Sequence, residues 1–171
     1  MQITVNQEFQ KALAFYREGK IKEAEKLSIN VIEQMPNFQI AWKVLGAIYL
    51  KSNRKSESLK AFQRSIQLNP KDPESYNNLG ATLEALGRFP DAEVSYRQAI
   101  ALKPDYAEAY FNLAVTLQKM VIIYNAIQDG WEVKRKNDNY IFLKKHEQKK
   151  EVYLDSFLKN FIENNMDIEK I

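Results

Sequence analysis

The sequence predicts a mainly α fold, an α-solenoid of antiparallel helix pairs followed by a small α+β unit at the C-terminal end. Pro36, Pro70 and Pro104 lie 34 residues apart, and a fixed period of this length is typical of stacked structural repeats. Other residues repeat in phase with the prolines: Trp42, Tyr76 and Tyr110; Leu45, Leu79 and Leu113; Gly46, Gly80 and, in the third register, Ala114.

The composition is that of a globular domain and indicates no catalytic chemistry. Apolar residues make up 45% of the 171 residues and charged residues 27%. The absence of cysteine excludes disulfides, thiolate catalysis and cysteine metal sites. A single histidine, His146, stands in a lysine-rich stretch, and no phosphate-binding loop or nucleophile motif is present. We therefore expect a non-enzymatic protein that needs no cofactor and no metal.

The sequence gives no indication of secretion or membrane insertion. Its N-terminal residues lack the basic region and apolar core of a signal peptide. No apolar run approaches the ~18 residues that span a bilayer. We expect a cytoplasmic protein that has no contact with membranes.

The first helix of each repeat follows from an apolar stripe with helical spacing. Counting repeats as 5–38, 39–72, 73–106 and a partial 107–120, we find the stripe at positions 4, 7, 8 and 11. A break follows at Gly19, Asn53 and Gly87, residues that tolerate the left-handed conformation of a helix C-cap.

The second helix of each repeat runs from this break to the proline, which terminates it. Its apolar face carries small side chains where it meets the first helix, since two helices approach closely only where side chains are small. The small residues pair up as Ala12 with Ala24, Gly46 with Ser58, and Gly80 with Ala92.

These repeats resemble the tetratricopeptide repeat family. The residues that carry the resemblance are Trp42, Leu45, Gly46, Tyr49, Phe62 and Pro70 in the second repeat, and Tyr76, Leu79, Gly80, Ala92, Tyr96, Ala99 and Pro104 in the third. The fourth repeat matches through its first helix alone. The resemblance implies a right-handed solenoid of about 3.5 repeats that binds an extended peptide of a partner protein in a concave groove, as a protein–protein interaction adaptor.

In that family the groove is lined by the first helices, at positions 2, 5, 6 and 9 of each repeat. Asn78 and Asn112 occupy position 6 one period apart, and a carboxamide can pair with the C=O and N–H of a peptide unit. We expect apolar contacts and charge selection from their neighbours. The further candidates are Phe9, Gln10, Leu13, Ile40, Lys43, Glu74, Asn77, Glu108 and Phe111.

Three alternatives remain open for the repeats. Repeats two to four look like the repeat arm of O-linked N-acetylglucosamine transferases, which have an asparagine ladder, so the chain could serve a glycosyltransferase-type system without being catalytic. A carboxylate clamp of the chaperone-binding type fits Lys43 and Asn78 but not Ala47, Glu108 or Asn112. The incomplete fourth repeat leaves an apolar end that a second copy could cover, giving a homodimer or scaffold.

The residues from 121 to 171 form a separate region. Residues 121–129 have helical character and either continue the helix of the fourth repeat or replace its second helix, up to Gly130. Alternation from Trp131 predicts a strand, residues 140–143 a second one, and residues 151–153 a third. Asp155 is a candidate cap for a final helix.

The predicted hairpin is basic, since residues 131–150 carry a net charge of +4. Its candidate contacts to RNA or to an acidic partner are Lys134, Arg135, Lys136, Lys144 and Lys145. Lysine on an edge strand is also a common protection against aggregation, and the net charge of the whole chain is only +3. We therefore favour a role in covering the end of the repeat stack over nucleic-acid binding.

Overall fold

A computed structural model describes the backbone of residues 2–136, 139–144 and 152–153, and the side chains of residues 5–134 and 140–143. The described residues form seven helices and three strands. The helices are α1 (Gln2–Arg17), α2 (Ile21–Gln34), α3 (Gln39–Lys51), α4 (Lys55–Leu68), α5 (Pro73–Ala85), α6 (Phe89–Leu102) and α7 (Ala107–Gln128). The strands are β1 (Trp131–Lys136), β2 (Asn139–Lys144) and β3 (Val152–Tyr153). The chain divides into two compact units, Met1–Leu113 and Ala114–Ile171.

Helices of the first unit pack as consecutive antiparallel pairs. Helix α1 packs against α2, α3 against α4, and α5 against α6. Successive pairs are joined by contacts of α2 with α3 and of α4 with α5. The predicted α-solenoid is confirmed.

The turn inside each pair uses a left-handed residue at the predicted position. The φ angles are 76° at Gly19, 59° at Asn53 and 68° at Gly87. The next amide then donates to a carbonyl five residues earlier, which satisfies an orphan acceptor at the helix end. These bonds run from Lys20 to Phe15, from Arg54 to Tyr49 and from Arg88 to Leu83, at 2.9, 2.8 and 2.8 Å.

The small residues of the first helices make room for aromatic rings of the second helices. A Cβ added to Gly46 would lie 2.8 Å from Cζ of Phe62, and one added to Gly80 would lie 2.6 Å from Cε1 of Tyr96. Both rings are fully buried. The glycines at position 8 are therefore explained by the close approach of a ring.

Helix α7 runs without a break to Gln128, beyond the point where the first three repeats turn. Val121 occupies the position of Gly19, Asn53 and Gly87 in the fourth repeat, and a β-branched residue disfavours the left-handed conformation. Residues 121–128 thus continue the first helix of the fourth repeat. The helix is followed by Gly130, whose φ is 81°.

The second unit contains an antiparallel sheet in the order β1-β2-β3. Strand β1 pairs with β2 from Trp131 opposite Lys144 to Lys136 opposite Asn139. Strand β3 pairs with β2 through Tyr153 opposite Ile141. The predicted small sheet is confirmed, whereas the predicted final helix beginning near Asp155 lies outside the described residues.

Membrane spans and metal clusters are both absent from the described residues. No helix in the described part of the chain is long and apolar enough to cross a membrane. Within the same part of the chain, no group of three or more histidine, aspartate or glutamate side chains could hold a metal ion.

Candidate functional site

The predicted groove residues of α3, α5 and the first turns of α7 are joined side by side by polar contacts. Lys43 on α3 reaches Glu74 on α5 at 2.6 Å. Asn77 on α5 donates from Nδ2 to Oε1 of Glu108 on α7 at 3.1 Å. These contacts bring the three first helices together as one surface, which we call the groove face.

Asn77 is a buried residue of the groove face, and its side chain links two neighbouring residues. Its side chain is only 1% exposed, and its Oδ1 accepts from Nδ2 of Asn112 at 3.1 Å. Together with the bond to Glu108, this contact occupies the carboxamide of Asn77. Asn77 therefore fixes the orientation of Glu108 and Asn112 on the neighbouring helix.

Asn78 differs from Asn77 in having no side-chain partner within the described part of the chain. Its backbone carbonyl accepts from the hydroxyl of Thr82 at 2.9 Å, but its half-buried carboxamide makes no protein hydrogen bond. Asn112 uses its Nδ2 on Asn77, which leaves its Oδ1 available. Hydrogen-bonding capacity thus remains at both copies of position 6.

Lys43 is held by two carboxylates. Its Nζ lies 3.2 Å from Oδ2 of Asp72 and 2.6 Å from Oε2 of Glu74. Burial alone would lower the pKa of Lys43, but the hydrogen bond that Lys43 donates to Glu74 and the charge of Asp72 outweigh it and raise the pKa above its ordinary value. The positive charge of Lys43 is therefore already neutralised within the protein.

Asp72 anchors a polar network that the sequence pattern did not reveal. Its Oδ2 accepts from the hydroxyl of Ser75 at 2.7 Å and from Nε2 of Gln39 at 2.8 Å. Gln39 also donates to Ser65 at 2.8 Å. Burial by itself would raise the pKa of Asp72, yet the bonds from Ser75, Lys43 and Gln39 and the charge of Lys43 hold it below its usual range.

The repeat period contains a signal that could have identified this network. Ser75 stands where the adjacent repeats have Ala41 and Ala109, and all three positions are buried. Asp72 stands where they have Phe38 and Tyr106. Polar residues at positions that are apolar or aromatic in neighbouring repeats indicate a buried polar contact.

Carboxylates of the groove face act on Tyr106. Tyr106 has a pKa of about 12, raised first by burial and then by the charges of Glu108, Glu74 and Asp72, while a hydrogen bond with Asn77 acts in the opposite direction. Lys103 also lies near Tyr106, with its Nζ 5.0 Å from the ring centroid. On the groove face itself, the three carboxylates Asp72, Glu74 and Glu108 accompany the single cation Lys43.

The predicted apolar contacts divide into exposed and buried residues. Ile40 is 44% and Phe111 67% exposed, which makes them available to a ligand. Phe9 is 4% exposed, and its ring meets Phe38 edge-on at 4.9 Å. Phe9 thus belongs to the N-terminal core, against which Leu13 also packs. Gln10 is exposed on α1.

The basic residues of the predicted hairpin are only partly described. Lys134 is exposed and lies 3.0 Å from Glu132. The backbone of Arg135, Lys136 and Lys144 lies in β1 and β2, where Arg135 is opposite Tyr140. Lys145 lies outside the described residues. The structure thus places the backbone of the two hairpin strands.

Comparison with known proteins supports the interpretation of the repeats. A family model for the TPR repeat matches residues 46–87 and 85–121. The protein O-mannosyl-transferase TMTC1 of Mus musculus is 33% identical over 61 residues, which are 36% of this chain and 6% of that protein. The chain therefore spans a small fraction of the length of this relative.

Solved structures share the fold. The O-GlcNAc transferase of Thermobaculum terrenum superposes with a TM-score of 0.67 at 24% identity over 69% of this chain and 23% of that one. The first TPR domain of Spaghetti (RPAP3), bound to the HSP90 peptide SRMEEVD, gives a TM-score of 0.67 at 19% identity over 68% of this chain and 93% of that one. Over residues 46–121 the chain therefore contains TPR repeats.

Proposed function

We propose that the chain is a non-catalytic interaction module whose groove face binds an extended segment of a partner protein. The observation that carries the proposal is the pair formed by Asn78 and Asn112. Both stand at position 6, one repeat apart, and both retain hydrogen-bonding capacity that the protein does not use. Carboxamides so placed suit peptide units about three residues apart on an extended chain, because packed helices lie about 8–10 Å apart and an extended chain rises about 3.3 Å per residue. Each carboxamide offers a donor or an acceptor to the peptide backbone.

Apolar contacts at the two sides of this pair would contribute affinity. Ile40 on α3 and Phe111 on α7 are exposed at 44% and 67%, and large exposed apolar residues beside polar ones are typical of recognition surfaces. One neighbour in fold, the first TPR domain of RPAP3, is known with an HSP90 peptide bound to it. This likeness supports a peptide as the ligand class.

The charge of the groove face favours a peptide that carries lysine or arginine. Lys43 is neutralised by Asp72 and Glu74, while Glu74 and Glu108 present exposed carboxylates. The HSP90 peptide of the RPAP3 complex, SRMEEVD, ends in acidic residues. A peptide with such an end would meet repulsion here, so we propose that the ligand has the opposite charge.

Selection from a random peptide library displayed on phage tests the proposal. The double variant Asn78→Ala/Asn112→Ala should bind the selected peptides about tenfold or more weakly, since each lost hydrogen bond is worth about 1 kcal/mol. The matched control is Gln63→Ala/Gln98→Ala, two exposed amides on the second helices α4 and α6. Equal binding by both folded variants would exclude the asparagine pair from the site.

A second substitution tests the charge preference. Glu108→Gln preserves an acceptor for Nδ2 of Asn77 and removes one negative charge. We expect weaker binding of lysine- and arginine-containing peptides and a shallower salt dependence, with no change for uncharged peptides. Selected peptides rich in aspartate and glutamate would contradict the charge preference while leaving peptide binding intact.

The other functions considered for the sequence stay predictions. The likeness to an O-GlcNAc transferase is a likeness of fold, and fold alone does not assign function. A ligand for the basic hairpin has no contact or cluster among the described side chains to support it.

A further inference from the structure

Helix α7 carries an apolar row that resembles one side of a coiled-coil seam. Ala114, Leu117, Val121 and Tyr124 follow one another at spacings of 3, 4 and 3 residues, the alternation that keeps a seam on one side of a helix. At ~100° per residue they fall within an arc of about 80°. Ala114, Val121 and Tyr124 are exposed, the last two at 55% and 61%, and Leu117 is half-buried.

The same positions are covered in the preceding repeats. Ala114 corresponds to Gly46 and Gly80, which are buried beneath the rings of Phe62 and Tyr96. Those rings come from the second helix of each repeat. Because α7 continues to Gln128 instead of turning, the fourth repeat has no second helix at this position. Ala114, where such a helix would pack, is therefore exposed.

The row is complementary to itself when two copies run antiparallel. An antiparallel pair centred between Leu117 and Val121 places Leu117 opposite Val121 of the other copy, and Ala114 opposite its Tyr124. A large ring then lies on a small residue, as Phe62 does on Gly46. A parallel pair would instead place ring against ring and alanine against alanine, and it would align the two helix dipoles unfavourably.

Charge does not oppose this pairing. From Ala114 to Gln128 the helix carries a single charged residue, Lys119, which lies about 200° around the helix from Leu117. Two copies could therefore meet along the row without desolvating a charge, a step that is costly when the charge has no partner. Gln118 and Asn125 flank the row with neutral polar groups.

We propose that two copies of this chain associate through an antiparallel α7–α7 contact along Ala114, Leu117, Val121 and Tyr124. This association is independent of the groove face and of the ligand proposed for it. It makes the chain a dimer with two grooves, and so allows two peptide segments to be held at once.

Molar mass in solution gives the first test, with the full chain measured by light scattering over a range of concentrations. The wild type should reach twice the 20.0 kDa monomer mass. Leu117→Glu should remain a monomer, whereas Gln63→Glu, at an exposed amide on α4 and outside the row, should behave as the wild type. A wild type that stays monomeric at every concentration, or a dimer that survives Leu117→Glu, would overturn the proposal.

Disulfide trapping gives a second test that does not depend on a disruptive substitution. The chain has no native cysteine, so Ala114→Cys and Tyr124→Cys proteins can be prepared separately. Antiparallel pairing predicts a disulfide when the two are mixed. It predicts none within either preparation, because like positions would be separated by about 15 Å along the helix axis and a disulfide needs Cα atoms within ~7 Å. Cross-linking within one preparation, or none in the mixture, would refute the antiparallel contact.

Discussion

Two buried serines differ in whether their hydroxyl group has a partner. Ser28 on α2 is fully buried, and its Oγ has no hydrogen-bond partner in the described part of the chain. Ser58 on α4 is equally buried, but it donates to the carbonyl of Gly46 at 2.9 Å and meets Thr82 at 3.0 Å. We therefore expect replacement of these two serines by alanine to change the stability in opposite directions.

We expect Ser28→Ala to raise the free energy of unfolding by about 1 kcal/mol, because it removes a buried polar group that lacks a partner. Ser58→Ala should lower that free energy by about 1 kcal/mol, because it breaks satisfied bonds. Urea unfolding followed by circular dichroism measures both. Changes of the same sign would show that hydrogen-bond satisfaction does not distinguish the two sites.

A second prediction concerns the glycine beneath a ring. Gly46→Ala would bring a Cβ to 2.8 Å from Phe62, and overpacking of this kind costs about 1–3 kcal/mol. Replacing a helical glycine by alanine regains about 1 kcal/mol of propensity, so a net loss of about 1 kcal/mol is expected. The first repeat already shows the compensated pair at these two positions, Ala12 with Ser28.

A double-mutant cycle isolates the steric part of this effect. In a Phe62→Leu background the ring is gone, and Gly46→Ala should then cost less or become stabilising. The propensity gain is common to both backgrounds and cancels. An equal cost in the two backgrounds would mean that the ring contact is not the reason for glycine at this position.

At the scale of the elements, one network joins α3, α4 and the start of α5. Gln39 and Ser75 donate to Asp72, which also pairs with Lys43. Ser65 joins the network through its contacts with Gln39 and Ser75. Helix formation in each element could be predicted from local spacing. The network could not, because Gln39 lies 26 residues from Ser65 and 36 residues from Ser75, and no single helix pattern contains all three.

This network predicts a loss of stability in acid. The pKa of Asp72 is lowered in the folded state, so its contribution is present above the unfolded value of about 3.9 and is lost as the pH falls through the folded value. Asp72→Asn should destabilise the protein by about 1–3 kcal/mol at neutral pH, since it weakens charge-assisted bonds, and should flatten the acid limb of the stability profile.

Denaturant unfolding at a series of pH values provides the measurement. Asp105→Asn is the matched control, an exposed carboxylate that lies one residue after Pro104. It should leave both the stability and the acid limb unchanged. An acid limb of the same slope in wild type and Asp72→Asn would contradict the assigned role of Asp72.

At the scale of the whole molecule, the repeat period predicted the succession of helix pairs. It did not predict that two residues at groove positions, Phe9 and Asn77, are buried. Phe9 falls at a groove position by counting but is buried, because the ring of Phe38, which precedes α3, packs edge-on against it. Asn77 also falls at a groove position and is buried by its bonds to Glu108 and Asn112. A repeat period predicts which residues share one face of a helix, but whether those residues are buried depends on the side chains that pack against them.

The stacked arrangement of the first unit predicts uneven protection from hydrogen exchange. In such arrays stability is approximately a sum of repeat and nearest-neighbour terms. Helix α3 packs against α1, α2, α4 and α5, whereas the main packing partners of α1 among the described helices are α2 and α3. Amides in the middle of α3 should therefore exchange more slowly than those of α1, because α1 can open without disturbing the helices beyond α3. Mass spectrometry of peptic fragments would measure the difference, with Gly46→Ala as a variant that should accelerate exchange in α3 and α4. Identical protection of α1 and α3 would show instead that the first unit opens as one cooperative body.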